Sequence, residues 1–176
     1  MGVLPDRLPF NHQVNNGSRP RFETLWGGAL PVDPGLDTAG ILQAAADGQI
    51  KALYIMGADP VTTFPDPDLA RRAFDRVPFL IVQDLFMTES AKYANVFLPG
   101  CSYIEKDGSF TNIEGRLQAF SKAIEPRGQS RPDWQILAEM MVRLGKSVPY
   151  FSPRDIAREI ARTETSSREL TAAGVA

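Results

Sequence analysis

Cysteine and histidine are almost absent: the 176-residue chain holds one of each, Cys101 and His12. An internal disulfide is excluded. So is an iron–sulfur cluster or a structural zinc site built from this chain alone, because each needs several thiolate or imidazole ligands. No metal ligand set and no catalytic pair are expected. Positive charge is not in excess either. The net charge is -2, and lysines and arginines are scattered rather than clustered, which leaves no basic stripe for nucleic acid. No apolar run approaches the length of a bilayer span, so no direct membrane insertion is expected. The opening MGVLPDRLPF lacks a charged segment followed by an apolar one, and so does not read as a secretory leader. Asp6 stands where a myristoylation signal needs Ser or Thr. A cytoplasmic location follows as the default. Neither GxxxxGK[ST] nor GxGxxG occurs, so the usual ATP and dinucleotide fingerprints are lacking.

What is present is a regular alternation of apolar strands and capped helices. Residues 1–36 are rich in Pro, Gly and Asn with little periodicity, and read as an irregular segment that packs on something else. His12 falls in it, in a surface or capping role. DTAGILQAAADGQ predicts a helix capped by Asp37 or Thr38 and closed at Gly48. The run Leu53–Met56 predicts a buried parallel strand, and FLIVQD, residues 79–84, a second. Between them, Asp66 and Pro67 open a helix with Leu69, Ala70, Ala73 and Phe74 on one face. A short helix capped by Thr88 leads to a third strand at 95–98. Strands alternating with helices over short connections predict an α/β fold: a Rossmann-like parallel sheet flanked by helices, with an irregular N-terminal segment. RPDWQILAEMMVRLG predicts a helix capped by Asp133, with Trp134, Leu137, Met141 and Leu144 along one face and its methionine pair filling core. Ser152, Pro153 and Asp155 open a last helix. The domain reading is an irregular segment 1–36, an α/β domain 37–164 and a flexible tail 165–176.

Open parallel sheets bind ligands beyond the carboxyl ends of their strands. Three such ends are legible. GADPVTT offers Gly57 for close backbone approach, the Asp59 carboxylate, and the hydroxyls of Thr62 and Thr63. Gln83 and Asp84 are polar directly after apolar residues. Gly100 and Cys101 form the third end. A carboxylate, an amide and small hydroxyls suit the edge of a guanine or a ribose, whereas Asp59 is equally suited to a turn or cap. Cys101, alone after a strand, fits a small buried hydrophobe better than a nucleophile. EKDGSFTNIEGRLQ, residues 105–118, predicts a hairpin turn at Asp107-Gly108 anchored by Phe110 and Leu117, with Thr111, Asn112 and Glu114 satisfying backbone groups and Arg116 facing either Glu105 or a partner.

ALYIMGADPVTTFPDPDLARRAF, FLIVQDLFMTESAKYANVFLPG, EKDGSFTNIEGRLQ and RPDWQILAEMMVRLG, in this order, resemble segments of the molybdopterin oxidoreductase superfamily. They look closest to the large iron–sulfur subunit in the peripheral arm of NADH–quinone oxidoreductase, respiratory complex I, and next to formate dehydrogenase catalytic subunits. The resemblance covers roughly residues 23–148, and MGVLPDRLP also looks like a mid-chain segment of the family. It implies a fragment lacking the upstream cysteine-rich region, where iron–sulfur clusters are expected. It also implies that the guanosine end of molybdopterin guanine dinucleotide would meet Gly57, Asp59, Thr63, Gln83, Gly100 and Cys101, with Asp59 accepting from guanine and Gln83 holding ribose or phosphate. Ala58 stands where formate dehydrogenases tend to carry an acidic residue, which favours the complex I branch. The implied role is a scaffold in electron transfer from NADH to quinone, without a redox centre in this chain and without turnover by the isolated chain. The implied partners are the other subunits of a respiratory complex, peripheral to the inner membrane. The alternative is a piece of a formate dehydrogenase-like molybdoenzyme.

Overall fold

The structure, a computed structural model, describes residues 5–8, 12–14, 17, 19–114 and 116–163. The tail 165–176 and the side chain of His12 lie outside the described residues. Three parallel strands form the central sheet: β3 (Ala52–Met56), β4 (Phe79–Asp84) and β5 (Val96–Pro99), in that spatial order. The register pairs Ile55 with Val82 and Met56 with Gln83; across the next pair, Gln83 meets Leu98 and Asp84 meets Pro99. Alternation along the strands then sorts the faces. Ile55, Leu80 and Val82 join Leu42 and Ala45 of α2 (Thr38–Ala46) and Leu69, Ala70, Ala73 and Phe74 of α4 (Pro67–Arg76) in one core. Tyr54 and Gln83 lie on the opposite face, where the start of α5 (Asp133–Arg143) reaches the sheet.

The caps behave as the residues dictate. The Asp37 carboxylate accepts from the Gly40 N–H, and Asp66 accepts from the Leu69 N–H with Pro67 at the first helical position. Each satisfies a backbone donor that the helix itself leaves orphaned. The Thr88 hydroxyl accepts from the Ala91 N–H, opening a 3₁₀ turn over Ser90–Tyr93. Asp155 accepts from the N–H groups of Phe151 and Ser152 ahead of α6 (Pro153–Thr163).

Several expectations are corrected. The segment read as irregular carries a helix, α1 (Arg19–Trp26), with Phe22 buried against the chain, and two short antiparallel strands, β1 (Arg7–Leu8) and β2 (His12–Gln13). Its single buried aromatic gives too little periodicity to read. Asp133 does not cap α5: Pro132 holds the cap position and no side chain caps it. The face of Leu137, Met141 and Leu144 is exposed, Leu144 at 76%, while Ile136 is the residue that is buried; no described element covers that face. Finally, the hairpin is made by β6 (Gly108–Thr111) and β7 (Leu117–Phe120), so the chain reverses between Thr111 and Leu117 rather than at Asp107-Gly108.

The physical reason for that last shift is specific. Asn112 Oδ1 accepts from the N–H groups of Glu114 and Arg116, at 3.0 and 2.8 Å, which builds the turn there. Gly108 is instead a strand residue chosen for clearance, since a Cβ on it would lie 2.6 Å from Cζ of the Phe120 ring. Phe110 does not anchor the hairpin to the core. It is 59% exposed and stacks on Phe120 at 4.8 Å between ring centres. Glu105 is buried and does not pair with Arg116; its carboxylate accepts from the N–H groups of Ser102 and Arg127.

Candidate functional site

The six residues that the resemblance implies at the cofactor, Gly57, Asp59, Thr63, Gln83, Gly100 and Cys101, fall at the carboxyl ends of β3, β4 and β5, in two clusters. The first follows β3. Gly57 takes φ +62, a left-handed conformation that glycine adopts without cost, with open space where a side chain would be. Its N–H donates to the Gln83 carbonyl at 2.9 Å, which ties the loop to the central strand. Asp59 opens α3 (Pro60–Thr63). Its Oδ1 accepts from the Ser90 N–H at 2.9 Å and from the Ser90 hydroxyl, and its Oδ2 accepts from Thr62 Oγ1. Burial pulls the Asp59 carboxyl upward, but the hydrogen bonds from Ser90, Thr62 and the backbone outweigh it and hold the group below the usual range. The Thr63 hydroxyl donates to the Asp59 carbonyl at 2.8 Å and is exposed.

The second cluster sits at the ends of β4 and β5. Gln83 is 1% exposed, and both halves of its amide are engaged. The Tyr54 hydroxyl donates to its Oε1, and its Nε2 donates to Asp133 Oδ1 at 2.7 Å. Asp133 Oδ2 in turn accepts from the Lys106 ammonium. A polar chain thus runs Tyr54, Gln83, Asp133, Lys106, from the sheet to α5 and to the loop before the hairpin. Gly100 closes the group: a Cβ there would approach Asp133 Oδ1 to 3.0 Å. The turn at Gly100 and Cys101 is held by Gly100 N–H on the Asp84 carbonyl and Cys101 N–H on the Arg131 carbonyl, at 3.0 and 3.1 Å.

Cys101 is buried, and its Sγ lies 4.0 Å from the Glu105 carbonyl. Burial pushes its thiol up. Lys106 pulls against this, while Asp133 and Glu105 add to it. Thiolate chemistry is therefore disfavoured at this position.

Three participants escape a reading of the sequence. Asp133 looks like a helix cap, Lys106 like loop charge, and Tyr54 like strand filler. One signal exists for Asp133: a proline directly before it already sets the entry to the helix, which leaves the carboxylate for other use. Nothing local marks Tyr54, whose partner is 29 residues away.

A molybdopterin oxidoreductase family model matches residues 7–143. The α subunit of NADPH-Fe(3+) oxidoreductase from Geobacter sulfurreducens is 42% identical over 161 residues, 92% of this chain and 19% of that protein. Formate dehydrogenase H of Escherichia coli is 37% identical over 162 residues, 91% of this chain and 23% of its own length. Among solved structures, acetylene hydratase from Pelobacter acetylenicus superposes with a TM-score of 0.66 at 19% identity, over 85% of this chain and 22% of the other; that likeness concerns the fold alone. The chain belongs to the molybdopterin oxidoreductase family. It spans about a fifth of the length of these curated relatives, and they do not single out the complex I subunit that Ala58 favoured.

The residues present fit the nucleoside end of the family's cofactor. Guanine offers N1–H and 2-amino donors side by side, which a carboxylate accepts in a paired, charge-assisted geometry. Asp133 supplies such a carboxylate, 40% exposed at the strand ends, and sits against Gly100, whose lack of a Cβ leaves it room. Asp59 supplies a second carboxylate whose oxygens already accept three hydrogen bonds within the chain. Among the described residues no helix is long and apolar enough to cross a membrane.

Proposed function

We propose that this chain forms the guanosine-binding wall of a molybdopterin guanine dinucleotide site in a formate dehydrogenase-like oxidoreductase. The observation that carries the reading is the convergence of Gln83, Asp133, Lys106 and Gly100 beside the Gly57 loop, at the carboxyl ends of three parallel strands. Asp133 accepts from the guanine edge, and its lysine partner yields or shares the carboxylate. Gly57 allows backbone approach, Gly100 leaves room for the Asp133 carboxylate, and the exposed Thr63 hydroxyl offers a lone pair to a ribose. Asp59 and Cys101 shape the two loops. When bound, the cofactor supplies the molybdenum centre at which the assembly oxidises its substrate.

The names of the relatives move the weight from a complex I scaffold toward this alternative. Partner subunits, including a cysteine-rich iron–sulfur region, complete the assembly on the cytoplasmic side, held to the membrane through those partners. Calorimetric titration of the full chain with GDP, using ADP as control, tests the site. GDP should bind more tightly, because adenine presents an acceptor where guanine presents its donor pair. Equal affinity for the two sinks the proposal. Molybdenum or tungsten in the natively purified assembly is the matching test of the whole protein.

One observation favours a second reading, a scaffold role of the kind expected for the complex I branch. Asp59 and Gln83 direct their polar atoms to partners inside the chain. Metal-free, nucleotide-free native assembly with intact NADH oxidation supports that reading.

A further inference from the structure

The Gln83 amide has two ends of opposite character, and its orientation decides what the strand-end site presents. Its Nε2 faces Asp133 Oδ1 at 2.7 Å and its Oε1 faces the Tyr54 hydroxyl. Rotating the amide by half a turn would set its oxygen against an Asp133 carboxylate oxygen, acceptor against acceptor, in a nearly solvent-free position. The phenol acts on the other end of the amide. The Asp133 carboxylate, an acceptor only, selects the orientation, and the protonated phenol then donates to Oε1 and holds that end of the amide in place. Burial, and secondarily the Asp133 carboxylate, push the Tyr54 hydroxyl up, which keeps it a donor.

Resting on the guanosine-site reading, we propose that Tyr54 is a positioning residue: its hydroxyl locks the Gln83 amide, and the amide holds the Asp133 carboxylate as an oriented acceptor at the strand ends. Tyr54 touches no ligand in this scheme and acts only through Gln83. The register makes the relay possible. Tyr54 and Gln83 lie on the same face of neighbouring parallel strands, Tyr54 being paired with Ile81 two positions before Gln83. A tyrosine is long enough to reach diagonally along that face. Phenylalanine would fill the same space without the donor.

The test is Tyr54→Phe in the full chain, read in two ways. The first needs no ligand: the side-chain NH2 resonances of Gln83 in a 15N spectrum. In the wild type they should exchange slowly with water. In the variant they should move and exchange at least tenfold faster, with the overall fold unchanged by circular dichroism. The second is GDP affinity, which should weaken about fivefold, the ordinary worth of one neutral hydrogen bond. Unchanged Gln83 resonances together with unchanged GDP affinity overturn the proposal. Failure of the wild type to bind GDP would instead remove the guanosine-site reading, while the amide measurement still decides whether Tyr54 locks Gln83. Should Tyr54→Phe not fold, 3-fluorotyrosine incorporated in place of tyrosine keeps the hydroxyl but makes it more acidic. Gln83 resonances that stay fixed as the residue at position 54 ionises count against the lock, because a phenolate cannot donate.

Discussion

The sheet with α2 and α4, and the region of the hairpin and α5, are built on opposite plans. In the first, Leu42, Ala45, Ala70, Ala73, Phe74, Leu80 and Val82 are buried against one another. In the second, apolar side chains face solvent: Phe110, Leu144, and Ile113, which is fully exposed at the hairpin tip. The first region closes its core within the chain. The second has the Phe110–Phe120 stack and the buried Ile136, and otherwise keeps its order through polar contacts: the Asn112 turn, the buried Glu105 cap and the ion pair of Lys106 with Asp133. The candidate site lies on the seam, where a buried amide of the sheet meets a carboxylate of α5. The larger buried core therefore lies on one side of the seam, and the chemistry of the site depends on both.

The largest break in that comparison is expected from Leu80→Ala. Leu80 is fully buried on the central strand, and such truncations cost about 2–5 kcal/mol through lost burial and the cavity left behind. Urea denaturation followed by circular dichroism measures it; a loss below about 1 kcal/mol would deny the sheet its dominant role. A smaller effect follows at the seam. Asp133→Ala leaves the buried Gln83 Nε2 without its acceptor, a penalty of about 1–3 kcal/mol. The same variant should abolish the preference for GDP over ADP, and retained preference would remove Asp133 from the site.

Acid should act next, on the loop after β3. The Asp59 carboxyl is held below its usual range in the folded chain, so its contribution is fully present above the ordinary aspartate pKa of about 4. It is lost as the pH falls through the lowered folded value, because the unfolded chain then binds the proton first. Asp59→Asn should flatten the part of the stability-versus-pH curve that the wild type shows below about pH 4. Superposable curves would mean that Ser90 and Thr62 do not hold the carboxylate in solution. The smallest effect is expected from Ile113→Ser, at an exposed hairpin tip, within about 0.5 kcal/mol by the same denaturation. A cost above about 1 kcal/mol would show that the second region packs more tightly than described.

Much of the fold is legible along the chain. The strands announce themselves by apolar runs bounded by Gly57 and Asp84, and the helices by caps at Asp37 and Asp66 that bond as their residue types dictate. The six strand-end residues can be read because position after a parallel strand is a local property. What stays hidden is relational. Asp133 reads as a cap because the sequence shows only its neighbours along the chain, whereas its partners Gln83 and Lys106 lie 50 and 27 residues away. The turn of the hairpin is misplaced because Asp-Gly is a strong local signal, and a Phe120 ring over Gly108 is not visible without pairing.

The sequence by itself determined the alternation of strands and helices, the parallel sheet and the kind of polar group at each strand end. Those follow from periodicity, capping and glycine, which act over a few residues. Only the tertiary structure decided how those polar groups are spent: Asp59 on Ser90 and Thr62, Gln83 between Tyr54 and Asp133, Glu105 on its own loop. Hydrogen bonds are settled by proximity in space, and that proximity is created when the apolar faces pack.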